Sequence, residues 1–194
     1  MGWADSTRAS LLQRVKNPRD GRSWREFYGI YQPLLYRYAR LRGLNREMSE
    51  EVVQQCMANL SEKMRSFEYA REKGGFKYWL RRLVNNKIND LYKKKKLTTA
   101  QTADFRQAQE REMSPDELWE SQWRNRHLKY CLQLIRDDVS PTTYQAFEYH
   151  VLAEWPVERV CETLNVTADQ VYTAKSRITK RLREKMRELL GDEA

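Results

Sequence analysis

PVERVCETLNVTADQVYTAKSRITKRLREKMRELL, residues Pro156 to Leu190, holds two helical patterns separated by a few residues around Asn165, Val166 and Thr167. In the first, Val157, Val160, Cys161 and Leu164 recur at three- and four-residue steps and make one apolar face; in the second, Val171, Ala174, Ile178, Leu182 and Met186 do the same. Two amphipathic helices joined so tightly have helix-turn-helix spacing, and Thr167 stands where an N-cap hydroxyl would satisfy a free amide of the second helix. The other faces of that helix carry Gln170, Tyr172, Thr173, Lys175, Ser176, Arg177, Lys180 and Arg181, followed by Arg183, Lys185 and Arg187; between 170 and 187 only Glu184 is acidic. Hydrogen-bonding groups at the N-terminal end suit base edges in a major groove, and cations along the length suit phosphates. A charge run can also be nothing more than a solvated helix face. The preceding helix and short turn favour DNA, with Arg177, Ser176 and Thr173 the leading candidates for base contacts.

Upstream, Ser140-Pro141 and Ser114-Pro-Asp-Glu117 each spell a helix start, with serine at the N-cap and proline at the first helical position; Glu117 is placed to close a capping box. Helices are expected near 115 to 136 and 141 to 153. Residues 97 to 113 are rich in Thr, Ala, Gln and charge but poor in aliphatics, as in a linker that cannot order itself alone. Before it, Trp24, Phe27, Tyr31, Leu34, Leu35, Tyr38 and Leu41 form one helical stripe, with Pro33 a candidate kink. A turn at Gly43 leads to a second helix carrying Val52, Val53, Cys56, Met57, Leu60 and Met64. Gly74 and Gly75 break the period, and Phe76, Trp79, Leu80, Leu83, Val84, Ile88 and Leu91 restart it and run into Lys93 to Lys96. No segment alternates as a half-buried strand does. The expected fold is all-α: two small helical domains, 1–96 and 114–194, joined by a flexible linker at 97–113.

The charge pattern marks the same division. Lys and Arg number 36 against 27 Asp and Glu, a net charge of +9, which favours polyanionic partners. Residues 1 to 96 hold 22 basic and 10 acidic side chains, 97 to 126 hold 4 and 6, and 127 to 194 hold 10 and 11. A membrane span needs about 18 consecutive apolar residues, and the apolar runs here are far shorter. Met1 to Leu12 lack the apolar stretch of a secretory signal, so a soluble, cytoplasmic protein with no membrane partner is expected. Cys56, Cys131 and Cys161 are widely spaced and His127 and His150 lack partners at ligand spacing; neutral thiols, structural histidines, and neither metal nor cofactor are expected. With no Gly-rich phosphate loop and no catalytic motif, an enzyme is not expected.

Val171-Tyr-Thr-Ala-Lys-Ser-Arg177 and Lys180-Arg-Leu-Arg-Glu184 resemble region 4 of the extracytoplasmic-function sigma factors, a subfamily of the sigma-70 family. Many repressors share a helix-turn-helix, so the upstream motifs carry the distinction. Glu51-Val-Val-Gln-Gln55 is similar to the acidic start of sigma region 2, and Phe67 to Lys96, with Gly75-Phe-Lys-Tyr-Trp-Leu80 and Asn86-Lys-Ile-Asn-Asp90, resembles its promoter-melting segment. The resemblance implies a non-catalytic protein that binds bacterial RNA polymerase core and directs transcription initiation. Glu51, Gln54 and Gln55 would meet the clamp helices of the largest subunit, and region 4 the flap of the second-largest. Duplex at the −35 element would fall to Gln170, Tyr172, Thr173, Lys175, Ser176, Arg177, Lys180 and Arg181. The −10 element would fall to Tyr69, Lys73, Lys77, Arg81, Arg82, Asn85, Asn86, Lys87 and Lys93, with Tyr69 and the 66 to 75 loop offering a flipped-base pocket, while Phe67, Phe76 and Trp79 read as core. The linker would run through the RNA exit path, and an anti-sigma factor is a further partner the family often has. The chain departs from the family at Glu51, where Asp is usual, at Gln55, where an acid is usual, and after Asp90, where lysines replace arginines and lose the bidentate fork. The alternatives are a stand-alone helix-turn-helix regulator, which needs no polymerase, and an RNA-binding protein that uses the same basic helices.

Overall fold

The computed structural model describes residues 7–67, 75–95 and 113–190, and these are helices and turns with no strand among them. The helices are α1 (Thr7–Arg14), α2 (Gly21–Leu41), α3 (Arg46–Lys63), α4 (Gly75–Lys95), α5 (Pro115–Asp138), α6 (Pro141–Phe147), α7 (Val157–Leu164) and α8 (Ala168–Leu190). A short 3-10 turn, Met64–Ser66, follows α3, and a π-helical turn, Glu148–Leu152, follows α6. No helix among the described residues is long and apolar enough to cross a membrane.

One compact unit comprises Ala9–Arg126. Its helices start on side-chain caps: Asp20 accepts from the Ser23 amide at 3.0 Å, and Asn45 accepts from the Met48 amide at 2.9 Å. The Ser23 bonds also hold the Asp20 carboxyl below its usual range. Between α2 and α3 the chain turns at Gly43, whose φ of 93° a side chain would strain. The core is the stripe read from the sequence: Phe27, Tyr31, Leu34, Leu35 and Tyr38 of α2, Val52, Val53, Cys56 and Leu60 of α3, and Phe76, Leu80, Val84, Ile88 and Leu91 of α4 are all buried. Burial pushes the Cys56 thiol up to about 12, so it stays neutral and unreactive.

The first half of α5 belongs to this unit as well. Ser114 and Glu117 form the expected capping box, the Ser114 amide donating to Glu117 Oε2 at 2.8 Å and the Glu117 amide to Ser114 Oγ at 3.3 Å. One turn on, Trp119 meets Tyr38 edge-on at 5.1 Å and Trp123 meets Tyr31 at 5.8 Å; both indoles are buried. The compact unit therefore takes in residues that the charge boundary had grouped with the second domain.

Pro33 sits inside α2, and the helix continues through it. Proline has no N–H, so the carbonyl one turn back, on Gly29, lacks its helical donor. The Arg126 guanidinium supplies one: its Nη2 donates to the Gly29 carbonyl and its Nε to the Ile30 carbonyl at 2.9 Å.

The second unit is built from His127 onward. One apolar cluster joins Leu132 and Ile135 of α5 to Tyr144, Phe147 and Ile178; another joins Ala146 to Val160, Val171 and Ala174. The regular helix expected to reach 153 ends at Phe147 and widens into the π turn, where Ala153 closes on the Glu148 carbonyl at 2.9 Å. Cys131 is buried, its thiol also pushed up to about 12, and Cys161 is half-buried.

Replacing Arg126 by Met should lower unfolding free energy by about 1 kcal/mol, since both carbonyls lie where water partly replaces the donor. In a Pro33→Ala background, which restores the amide donor to Gly29, the same replacement should cost measurably less, as read by urea denaturation of the four proteins.

Candidate nucleic-acid interfaces

The turn between α7 and α8 is closed by Asn165, left-handed at φ 53°, and by a second capping box. The Gln170 amide donates to Thr167 Oγ1 at 3.3 Å, and the Thr167 amide donates to Gln170 Oε1 at 2.8 Å. Gln170, expected to read bases, thus commits its side-chain carbonyl to starting α8. Val171, Ala174 and Ile178 form the buried seam, and the helical period of 3.6 residues turns Thr173, Ser176 and Lys180 to the opposite, exposed side. Gln170, Thr173 and Arg177 line a cleft of about 370 Å³ with Ser140, Thr142 and Thr143 of the α6 start and with Asp169. Lys175 is exposed on the other flank, Arg181 is half-buried, and Tyr172 is half exposed with its ring edge-on to His150 at 5.8 Å. The ring of Trp155 supports the approach to α7: Tyr149 stacks on it at 4.6 Å and the Arg159 guanidinium lies over it at 3.9 Å.

In the first unit α4 has three working faces. Phe76, Leu80, Val84, Ile88 and Leu91 are core. Lys77 and Arg81 turn toward α5, where Lys77 Nζ lies 2.5 Å from Glu120 Oε2 and Arg81 Nη1 lies 3.2 Å from Asp116 Oδ1. Tyr78, Arg82, Asn86, Asn89 and Lys93, three or four residues apart, stand exposed along a single stripe. Tyr78 and Asn89 share this stripe with Arg82 and Asn86 at the three-and-four-residue step of the helix.

Asn85 leaves the expected set for a structural place. Its Oδ1 accepts from Tyr38 Oη at 2.9 Å and from Arg42 Nη1 at 2.5 Å, while the Tyr92 hydroxyl donates to the Arg42 carbonyl at 2.6 Å. Lys87 is half-buried. Phe67, Phe76 and Trp79 contact one another at ring separations of 5.0 to 5.8 Å, as core rings do. Tyr69 and Lys73 lie outside the described residues, as does the stretch 97–112 of the linker.

On α3, Gln55 Nε2 donates to Glu51 Oε1 at 3.2 Å, one turn away, and Gln54 is exposed beside them. Among the described residues no group of His, Cys, Asp and Glu is arranged to hold a metal ion.

Residues 27–98 match the family model for sigma-70 region 2. The match runs from within α2 to just past α4, and so takes in Glu51, Gln54 and Gln55 as well as the α4 faces. It supports the sigma-70 family, whose members are non-enzymatic factors of transcription initiation that work with RNA polymerase core and promoter DNA. No curated protein matches the chain. Within region 2, the exposed α4 stripe combines an aromatic face, two amides and two cations, the groups that stack bases and follow a backbone.

Asn85→Ala should lower unfolding free energy by about 1–3 kcal/mol, because the buried Tyr38 hydroxyl and the Arg42 guanidinium lose an acceptor. Asn86→Ala, one position on and exposed, should stay within about 0.5 kcal/mol of the parent in the same urea titration.

Proposed function

We propose that this chain is a sigma factor of the extracytoplasmic-function type, with region 2 in its first compact unit and region 4 in the unit that contains α6 to α8. The observation that carries the reading is the region 2 match over 27–98 followed, in the same chain, by a capped helix-turn-helix whose second helix exposes Thr173, Lys175, Ser176, Arg177 and Lys180. A stand-alone regulator accounts for the second feature and not for the first.

On this reading α8 enters the major groove at the −35 element. Arg177, at the edge beside α6, is the side chain best suited to a bidentate guanine contact, while Lys180 serves as a phosphate contact. Region 2 takes the −10 element. Opening duplex breaks stacking worth about 1.4 kcal/mol per step, and a protein without ATP offsets that by capturing the exposed strand. Tyr78 supplies a half-exposed aromatic ring, worth about 1–3 kcal/mol per stacked base, and Arg82, Asn86 and Lys93 continue along the strand. Glu51, Gln54 and Gln55 dock on the clamp helices of the polymerase, and region 4 on the flap.

Transcription in vitro from a promoter library, with bacterial core polymerase and this protein, tests the reading: starts that depend on the protein should share two spaced upstream elements. Core polymerase that neither binds the protein nor initiates with it, while duplex DNA still binds, would leave the regulator reading in its place. Arg177→Ala should weaken initiation about ten- to a hundredfold and relax preference at one position of the upstream element. Lys180→Ala should weaken all promoters alike.

A further inference from the structure

Lys77 and Arg81 stand one turn apart on α4, and Glu120 and Asp116 stand one turn apart on α5, paired in reverse order. Two helices running antiparallel thus match cation to carboxylate at both rungs. Alongside the rungs, Trp119 and Trp123 are buried against Tyr38 and Tyr31, and Lys77 also lies 5.9 Å from the centre of the Trp123 ring.

Exposure separates the two kinds of contact. The indoles are 0% and 2% exposed, whereas the carboxylate side chains keep 45% and 67% of their surface. The paired Lys77 and Arg81 side chains keep 22% and 23% of theirs, so each pair is covered on the cation side and open on the carboxylate side, and pairs open in this way hold more weakly than the buried indoles. The first half of α5 therefore stays docked while its ion pairs exchange for another anion.

We propose that Asp116 and Glu120 are built-in competitors of the nucleic-acid strand, occupying Lys77 and Arg81 until phosphates displace them and so setting the affinity and salt sensitivity of region 2. The proposal rests on the reading of region 2 as a strand-binding surface. A lysine already neutralised by a carboxylate contributes little attraction, and when it binds phosphate the carboxylate it leaves takes up a cation from the salt, offsetting the one the phosphate releases. Each paired cation thus lowers both affinity and the salt slope.

The test uses the full chain and a fluorescent single-stranded oligonucleotide, followed by anisotropy over a series of NaCl concentrations. D116N/E120Q is compared with the wild type and with E47Q/E62Q, which removes two exposed α3 carboxylates and makes the same change in net charge. D116N/E120Q should bind about three- to twentyfold more tightly than wild type. Its log–log salt slope should steepen by about 1.4, two cations at about 0.7 each for a single strand. The E47Q/E62Q control should shift affinity less than twofold. In a K77M/R81M background, D116N/E120Q should gain no more than that control.

A gain matched by E47Q/E62Q, or one that persists in K77M/R81M, overturns the competition while strand binding by the wild type keeps the region 2 reading. Absence of strand binding by every version overturns both.

Discussion

The ring of Tyr31 is the contact on which the first unit depends. It lies 4.6 Å from Phe27, 5.1 Å from Phe76 and 5.8 Å from Trp123, so a single side chain of α2 joins its own helix to α4 and α5. Buried aromatic residues remove roughly 150–250 Å² each from water, on the order of 4–6 kcal/mol apiece as an upper bound. That is far more than the neighbouring ion pairs supply. The rotation of α4 is consequently set by Phe76 and the apolar positions that follow it, and its polar residues are distributed by what remains: toward α5 at Lys77 and Arg81, toward α2 at Asn85, and outward at Arg82 and Asn86.

The helical period made most of the fold legible. The α2, α3 and α4 stripes, both Ser-Pro starts and the α7–α8 turn follow from spacing and caps, which are local signals that tertiary packing here reinforces. Two features were not legible for the same reason, that they depend on partners far along the chain. A charge count placed a boundary after Lys96, yet Trp119 and Trp123 carry the first compact unit through to Arg126. Nothing local to Arg126 says that it answers a carbonyl orphaned by Pro33, 93 positions earlier, although a proline inside a helix does announce that some donor is wanted. The π turn after α6 likewise has no local composition that separates it from a continuing helix.

Which helices carry the candidate residues was legible in the sequence, and what each side chain offers there was not. Composition marks α8 as a polar and cationic helix, but helix rotation and capping decide what each side chain offers: Gln170 uses its carbonyl on Thr167, Arg181 is half-buried, and Thr173, Ser176 and Lys180 face out. On α4, listing every polar residue near the aromatics captured three different environments at once. Counting by threes and fours from the buried stripe separates them, and that count puts Tyr78 and Asn89 on the exposed stripe.

Arg81 connects the two sides of this division. Its guanidinium pairs with Asp116 at 3.2 Å and lies 5.2 Å from the centre of the Tyr78 ring, the one exposed aromatic on the α4 stripe among the described residues. In the proposed sigma function a phosphate that draws Arg81 from Asp116 also takes it off the face of a ring suited to stacking. Backbone capture and base capture then favour each other, because one side-chain movement serves both. Duplex has its bases paired and stacked and gains only the phosphate contact, whereas an opened strand gains both. On the proposed function, the preference for the opened strand would come from the surface of α4, from the way one arginine is shared between a carboxylate and a ring.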